Sequence, residues 1–165
     1  MRVWPALILF VLSFLGSPAW AQQDITITEL SNVDRQFMAQ QRTLLEDLAA
    51  INLGRSFSGE PEADIALLQA LLDRKLVSPE QTRELQAMGL VLGDLLAREL
   101  DMHWVVYEDS VGRSRALRYR ESDNYLFPMT MISRRQQAGN TTPVAEIYHK
   151  AYDIIDSARE PLPFQ

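Results

Sequence analysis

The chain has no cysteine. That excludes disulfide bonds, thiol catalysis and a lipid anchor built on a thiol, and it leaves stability to apolar packing. Long hydrophobic runs are missing too. A bilayer-spanning helix needs about 20 apolar residues; the most apolar stretch here, Ala6 to Gly16, falls well short of that and is followed at once by Pro18. Basic charge is scarce as well. The 16 Lys and Arg stand against 22 Asp and Glu, a formal net charge of −6, which disfavours nonspecific binding to nucleic acid. The 165 residues contain no internal repeat and no low-complexity linker, so one domain with its own core is expected.

What is present begins with a leader. Met1-Arg2-Val3-Trp4 is a short basic start, an apolar segment follows, and Ser17-Pro18-Ala19-Trp20-Ala21 ends in an A-x-A pair of small residues. This is the pattern of a secretory signal peptide. Cleavage after Ala21 is expected, leaving residues 22–165 as a single exported domain, periplasmic or secreted, with no transmembrane anchor. Arg2 leaves with the leader, so the mature chain is more acidic still.

Residues 22–31 read as a loose leader or a short edge strand. From Ser31-Asn32 onward, Phe37, Leu44, Leu48 and Ile51 recur at helical spacing until Gly54, a natural stop. Phe57 to Pro61 is turn chemistry, and Ile65, Leu68 and Leu72 mark a second, shorter helix, expected to form a hairpin with the first. Ser78-Pro79-Glu80-Gln81 combines a cap, a proline suited to the first helical position and a Gln three residues after the cap, so a third helix is expected to start there and run through Leu85, Met88, Leu92 and Leu96. It carries Gly89 and Gly93, each costing about 1 kcal/mol relative to Ala. Close backbone contact with a neighbouring element is the expected compensation.

After Asp101 the period changes. His103 to Tyr107 is rich in aromatic and β-branched residues, Asp109-Ser110-Val111-Gly112 is turn-forming, Ser114 to Arg120 alternates, and Tyr125 to Ser133 reads as a third strand, with Pro128 placing it at an edge. Both faces of that third strand are apolar. Asn140 to Pro143 then precedes a last helix with Val144, Ile147, Tyr148, Ala151 and Ile155 on one side. The fold class is α+β: N-terminal helices, a three-stranded antiparallel meander and a C-terminal helix.

Candidate chemistry is sparse. Glu108 and Asp109 are neighbouring carboxylates of the kind that divide acid and base roles, but adjacent strand residues face opposite ways and Arg113 and Arg115 lie just across the turn. Cross-strand ion pairing explains them equally well. Glu146, His149 and Asp153 have the types and spacing of a metal site, yet they lie off the buried stripe, on the face that is ordinarily solvated. The span 113–135 holds six Arg (113, 115, 118, 120, 134 and 135) against Glu121 and Asp123, and segregated charge of this kind builds an anion-facing or acid-facing surface.

Met88-Gly89-Leu90-Val91-Leu92-Gly93-Asp94, Trp104 to Asp109 with Gly112-Arg113, and Phe127 to Arg135 follow one another in a fixed order. In this the chain resembles the bacterial domain of unknown function family 3806. The resemblance covers about the last half of the chain. It implies an exported or cell-envelope domain with no assigned activity, and it marks Trp104, Asp109, Gly112, Arg113, Pro128 and Arg135 as parts of the family pattern. No catalytic residue is carried over by it.

The expected function is a periplasmic binding or protein-interaction module, with Trp104, Glu108, Asp109, Arg113, Arg118, Arg134 and Arg135 as candidate binding residues. The alternative is a small periplasmic hydrolase that uses Glu108 or Asp109 with His103. No catalytic residue, metal ligand or cofactor is assigned. The partner expected is a protein or peptide of the cell envelope, with a homodimer also open.

Overall fold

A computed structural model of the chain describes residues 25–158. The expected signal peptide and the tail from Arg159 onward lie outside the described residues. The described residues open with β1 (Thr26–Glu29), one of the two readings of residues 22–31, and turn into α1 (Asn32–Leu53). Ser31 caps α1: its side chain accepts the Asp34 N–H and the Asp34 carboxylate accepts the Ser31 N–H in return. Gly54, at φ 62°, ends the helix in the left-handed conformation expected of a glycine stop. Then follow α2 (Pro61–Asp73) and α3 (Thr82–Leu100).

Two expectations change here. The first two helices do not form a packed hairpin: α1 lies along α3, whereas α2 packs against α6 (Val144–Asp156) and α3. The separate direction of α2 is set by the loop before it, where the buried Asp64 carboxylate accepts the N–H groups of Ser58 and Gly59 at 2.8 and 2.7 Å. The third helix also starts later than Ser78. Ser78 to Gln81 forms a turn in which the Gln81 N–H donates to the Ser78 carbonyl, and the Gln81 side chain accepts the Ser78 N–H. The Ser-Pro-Glu-Gln chemistry stabilises the approach to the helix rather than its first turn.

The core surrounds α3. Leu85, Met88, Leu90, Leu92, Leu95, Leu96 and Leu100 are all buried, since α1, α2 and α6, two short helices and the sheet all pack against it. A helix covered on so many sides buries apolar residues around most of its circumference. Asp101, at φ 56°, ends α3 and sends the chain directly into β2 (Met102–Asp109), which pairs with β3 (Gly112–Tyr119) through a two-residue turn. Asp109 accepts the Val111 and Gly112 N–H groups there, and Gly112 adopts φ 148°.

The sheet corrects the expected three-stranded meander. Among the described residues it has four antiparallel strands in the order β1-β2-β3-β4, because β1 pairs with β2 (Thr26 with Glu108 through Glu29 with Val105). The expected strand 125–133 is cut to β4 (Tyr125–Leu126), and the chain then turns through α4 (Pro128–Met131) and α5 (Ser133–Gln137). The cause lies in Pro128. Leu117 faces Leu126, so continuing the register would set Pro128 against Arg115, where it has no N–H to give. Proline instead suits the first helical position, and Thr130 donates its hydroxyl to the Phe127 carbonyl at 3.1 Å. Of the apolar residues read as two strand faces, Met129 and Met131 are therefore on α4 and Ile132 lies between the two short helices, with Met129 and Ile132 buried.

Gly89 and Gly93 make that turn away from the sheet feasible. A methyl group on Gly89 would strike the Pro128 carbonyl oxygen and lie 2.8 Å from the Met129 Cα; one on Gly93 would lie 2.6 Å from Trp104 Cζ2 and 2.8 Å from the Pro128 ring. The glycines thus serve the close contact expected of them. Alanine at either site gains about 1 kcal/mol of helix propensity but incurs overpacking of about 1–3 kcal/mol. Thermal melts of G89A and G93A should both show a lowered Tm, G89A by more because its obstacle is backbone; a rise in Tm for both would mean that the contact is loose.

Candidate functional site

A cleft of about 490 Å³ opens beside β3. Arg113, Ser114 and Arg115 form one wall, and Phe127, Met129, Thr130 and Arg134, from the segment that left the sheet, form the other. Phe37 of α1, Gln86 of α3 and Tyr107 of β2 also line it, with Asp109 and Gly112 at the turn. The Tyr107 ring meets the rings of Phe127 and Tyr125 edge-on, each at 5.2 Å between centroids, an arrangement favoured by the aromatic quadrupole.

The electrostatics of this wall centre on Asp34. Its carboxylate is 2% exposed and accepts a bidentate pair of hydrogen bonds from Arg113, at 3.0 and 2.7 Å, while Arg115 Nη2 stands 2.8 Å away. Ser31 adds its hydroxyl at 2.6 Å. The Arg113 guanidinium holds the Asp34 carboxyl well below the usual carboxylate range, against burial, which acts in the opposite direction. The Arg115 guanidinium also stacks on the Phe37 ring, 4.2 Å from its centroid. Two arginines of β3 are thus held in place by one helix, yet Arg113 keeps 44% of its side chain exposed.

Of the candidate binding residues, Asp109, Arg113 and Arg134 line this cleft. Asp109 is occupied with its turn, so the cross-strand pair expected between it and Arg113 is replaced by the Arg113–Asp34 pair; Glu108 is the residue opposite Arg113. Trp104, Arg118 and Arg135 are engaged elsewhere, and Glu108, beside Arg113, is not among the lining residues. Trp104 donates its indole N–H to Asp94 at 2.9 Å, and Arg42 grips the same carboxylate at 2.6 and 2.7 Å, tying β2, α3 and α1 together. Arg118 bonds Glu121 and the Ser122 carbonyl, Arg135 donates to the Met131 carbonyl, and Glu108 is exposed. Arg134 and Arg135 lie on α5, not at the end of a strand. His103 is five positions from Glu108 on one strand, roughly 17 Å at the rise of an extended chain, so the proposed hydrolase groups are not brought together. Glu146, His149 and Asp153 are exposed on α6, and Glu146 pairs with Lys150 at 2.7 Å.

The sequence pattern of the family described as Domain of unknown function (DUF3806) matches residues 64–148, just over half of the chain. The chain belongs to this family. The DUF3806 match runs from α2 into α6 and so includes Arg113, Arg115, Phe127 and Arg134, while Asp34 and Phe37, which complete the cleft, precede it. A crystal structure at 1.50 Å resolution from Bacteroides thetaiotaomicron VPI-5482 shares the fold, with a TM-score of 0.70 at 22% identity over 78% of this chain. The chain spans about half of that protein, 47% of its length. No curated protein matches it.

Asp34, Phe37, Gln86, Tyr107 and Phe127 went unanticipated as members of the site. Ser31 and Asp34 carry the spacing of a reciprocal helix cap, which was the one available signal for Asp34. Replacing it by Asn should destabilise the fold at pH 7 by about 3 kcal/mol, the lower end for breaking a buried pair because solvent screens Arg113. A carboxyl with a lowered folded-state pKa contributes stability that is complete above its unfolded value, about 3.9, and is lost as pH falls below it. Urea unfolding at pH 7 and pH 3 should therefore show a smaller pH-dependent loss in D34N than in the wild type.

Proposed function

We propose that the chain is an exported binding module of the bacterial cell envelope whose cleft beside β3 holds an anionic, partly apolar ligand. The observation that carries this reading is Arg134. It lines the cleft, is exposed, and forms no ion pair with another described residue, while Arg113 and Arg115, on the same cleft, share the single carboxylate of Asp34. A cationic group left open in a concave, aromatic-lined site favours a negative ligand, and the cleft volume falls in the range of ordinary ligand sites. The net acidity of the rest of the chain makes this local positive surface selective in its approach of partners.

A fluorescence titration with 8-anilinonaphthalene-1-sulfonate, an aromatic anion, tests the cleft directly. Binding should weaken about tenfold in R134E, equivalent to about 1.4 kcal/mol, and be unchanged in E62K, since Glu62 lines a separate groove with Ile65 of α2 and Tyr148 of α6. Equal binding in R134E and wild type would overturn the anionic reading. The export half is tested apart from it: N-terminal sequencing of the periplasmic protein should begin at Gln22, and retention of Met1 in a membrane fraction would refute it.

A further inference from the structure

We infer that the cleft receives its ligand as an added β-strand: an extended segment of another envelope protein, carrying acidic side chains at alternate positions, pairs with the free edge of β3. This inference rests on the reading of the cleft as a site for anions. Its own support is the register of the sheet. The Tyr119 N–H donates to the Asn124 carbonyl, and Leu117 faces Leu126. In an antiparallel ladder the residues that bond to one neighbour alternate along the strand. The backbone N–H and C=O of Arg115 and Arg113 therefore point to the same side as those of Leu117 and Tyr119, into the space that β4 would occupy if it did not end at Leu126.

The side chains place the cleft at that edge rather than on either face of the sheet. Arg113 and Arg115 project to the face covered by α1, whereas Ser114 lies on the other, yet all three line the same opening. The opposite wall is the diverted segment of Met129, Thr130 and Arg134. An incoming strand would meet the N–H and C=O groups of Arg113 and Arg115, which no other strand of the described residues pairs with on that side, with arginines on one of its faces and the Tyr107 and Phe127 rings on the other. Alternation of acidic and apolar residues matches that environment, which is the logic of strand addition: the main chain supplies affinity and alternate side chains supply specificity. A second copy of this chain is a poor occupant, because pairing two β3 edges would bring Arg113 and Arg115 of both copies together.

The test uses an acetylated, amidated hexapeptide of alternating Glu and Val, titrated into the purified chain by calorimetry and by amide NMR. Saturable binding with shifts at the Arg113 and Arg115 amides is expected. N-methylation of one alternate set of peptide residues should weaken binding by about tenfold or more, and methylation of the other set should not, because only every second N–H of an added strand faces the edge. A Lys-Val peptide should not bind. Equal effects of the two methylated sets, equal binding of the Lys-Val peptide, or absence of hexapeptide binding while 8-anilinonaphthalene-1-sulfonate still binds through Arg134 would overturn strand addition and leave the anionic cleft standing. Failure of both probes would overturn both readings.

Discussion

Two missing methyl groups on the central helix govern much of this molecule. Because α3 carries hydrogen atoms at positions 89 and 93 where other residues would carry side chains, the backbone of Pro128 and Met129 can rest directly on the helix. That contact holds the chain away from β3 after Leu126, and the departure opens the cleft. The same gap seats the Trp104 ring over Gly93, which aligns β2 with α3. A helix destabilised by glycine is thereby exchanged for a tight joint between helix and sheet, and the local loss of propensity is offset by burial around it.

Sheet edges are commonly shortened, charged or covered because unpaired backbone invites aggregation. Here the edge of β3 is flanked by arginines and overhung by α4 and α5, which restricts access to it. Asp34 adds the second restriction. By binding Arg113 and Arg115 from the first turn of α1, it fixes side chains that would otherwise sample many rotamers, and it links elements 79 residues apart in the chain. The carboxylate also completes the cap of its own helix, so the start of α1 and the wall of the cleft share one anchor.

Local chemistry was legible in the sequence wherever a short stretch decides its own geometry. Gly54 as a helix stop, the Asp109–Gly112 turn and the apolar stripe of α6 follow from neighbouring residues, and the glycines at 89 and 93 signal a close contact without naming its partner. The stretch from Tyr125 to Ser133 was not legible, because its short apolar run satisfies alternation while Met129 and Ile132 also fit a helical spacing. What separates the two is the glycine gap on α3, a partner some 35 to 40 positions earlier in the chain. The site was legible only in part for the same reason. Charge segregation indicated Arg113 and Arg134, but partners such as Asp34, Asp94 and Glu121 decide which arginines remain available, and Phe37 and Tyr107 look like ordinary core residues until the tertiary fold places them at an opening.

Trp104 has a consequence of another kind. It is the one tryptophan among the described residues, with its ring edge against Gly93 and its indole N–H on Asp94. Indole emission depends on the polarity around the ring and on that hydrogen bond, so the native chain carries an optical probe at the junction of α3, β2 and α4. In a chain that lacks residues 1–21, and with them Trp4 and Trp20, opening of that junction becomes visible as a spectral shift, and any motion of the segment that shapes the cleft can be followed without a label.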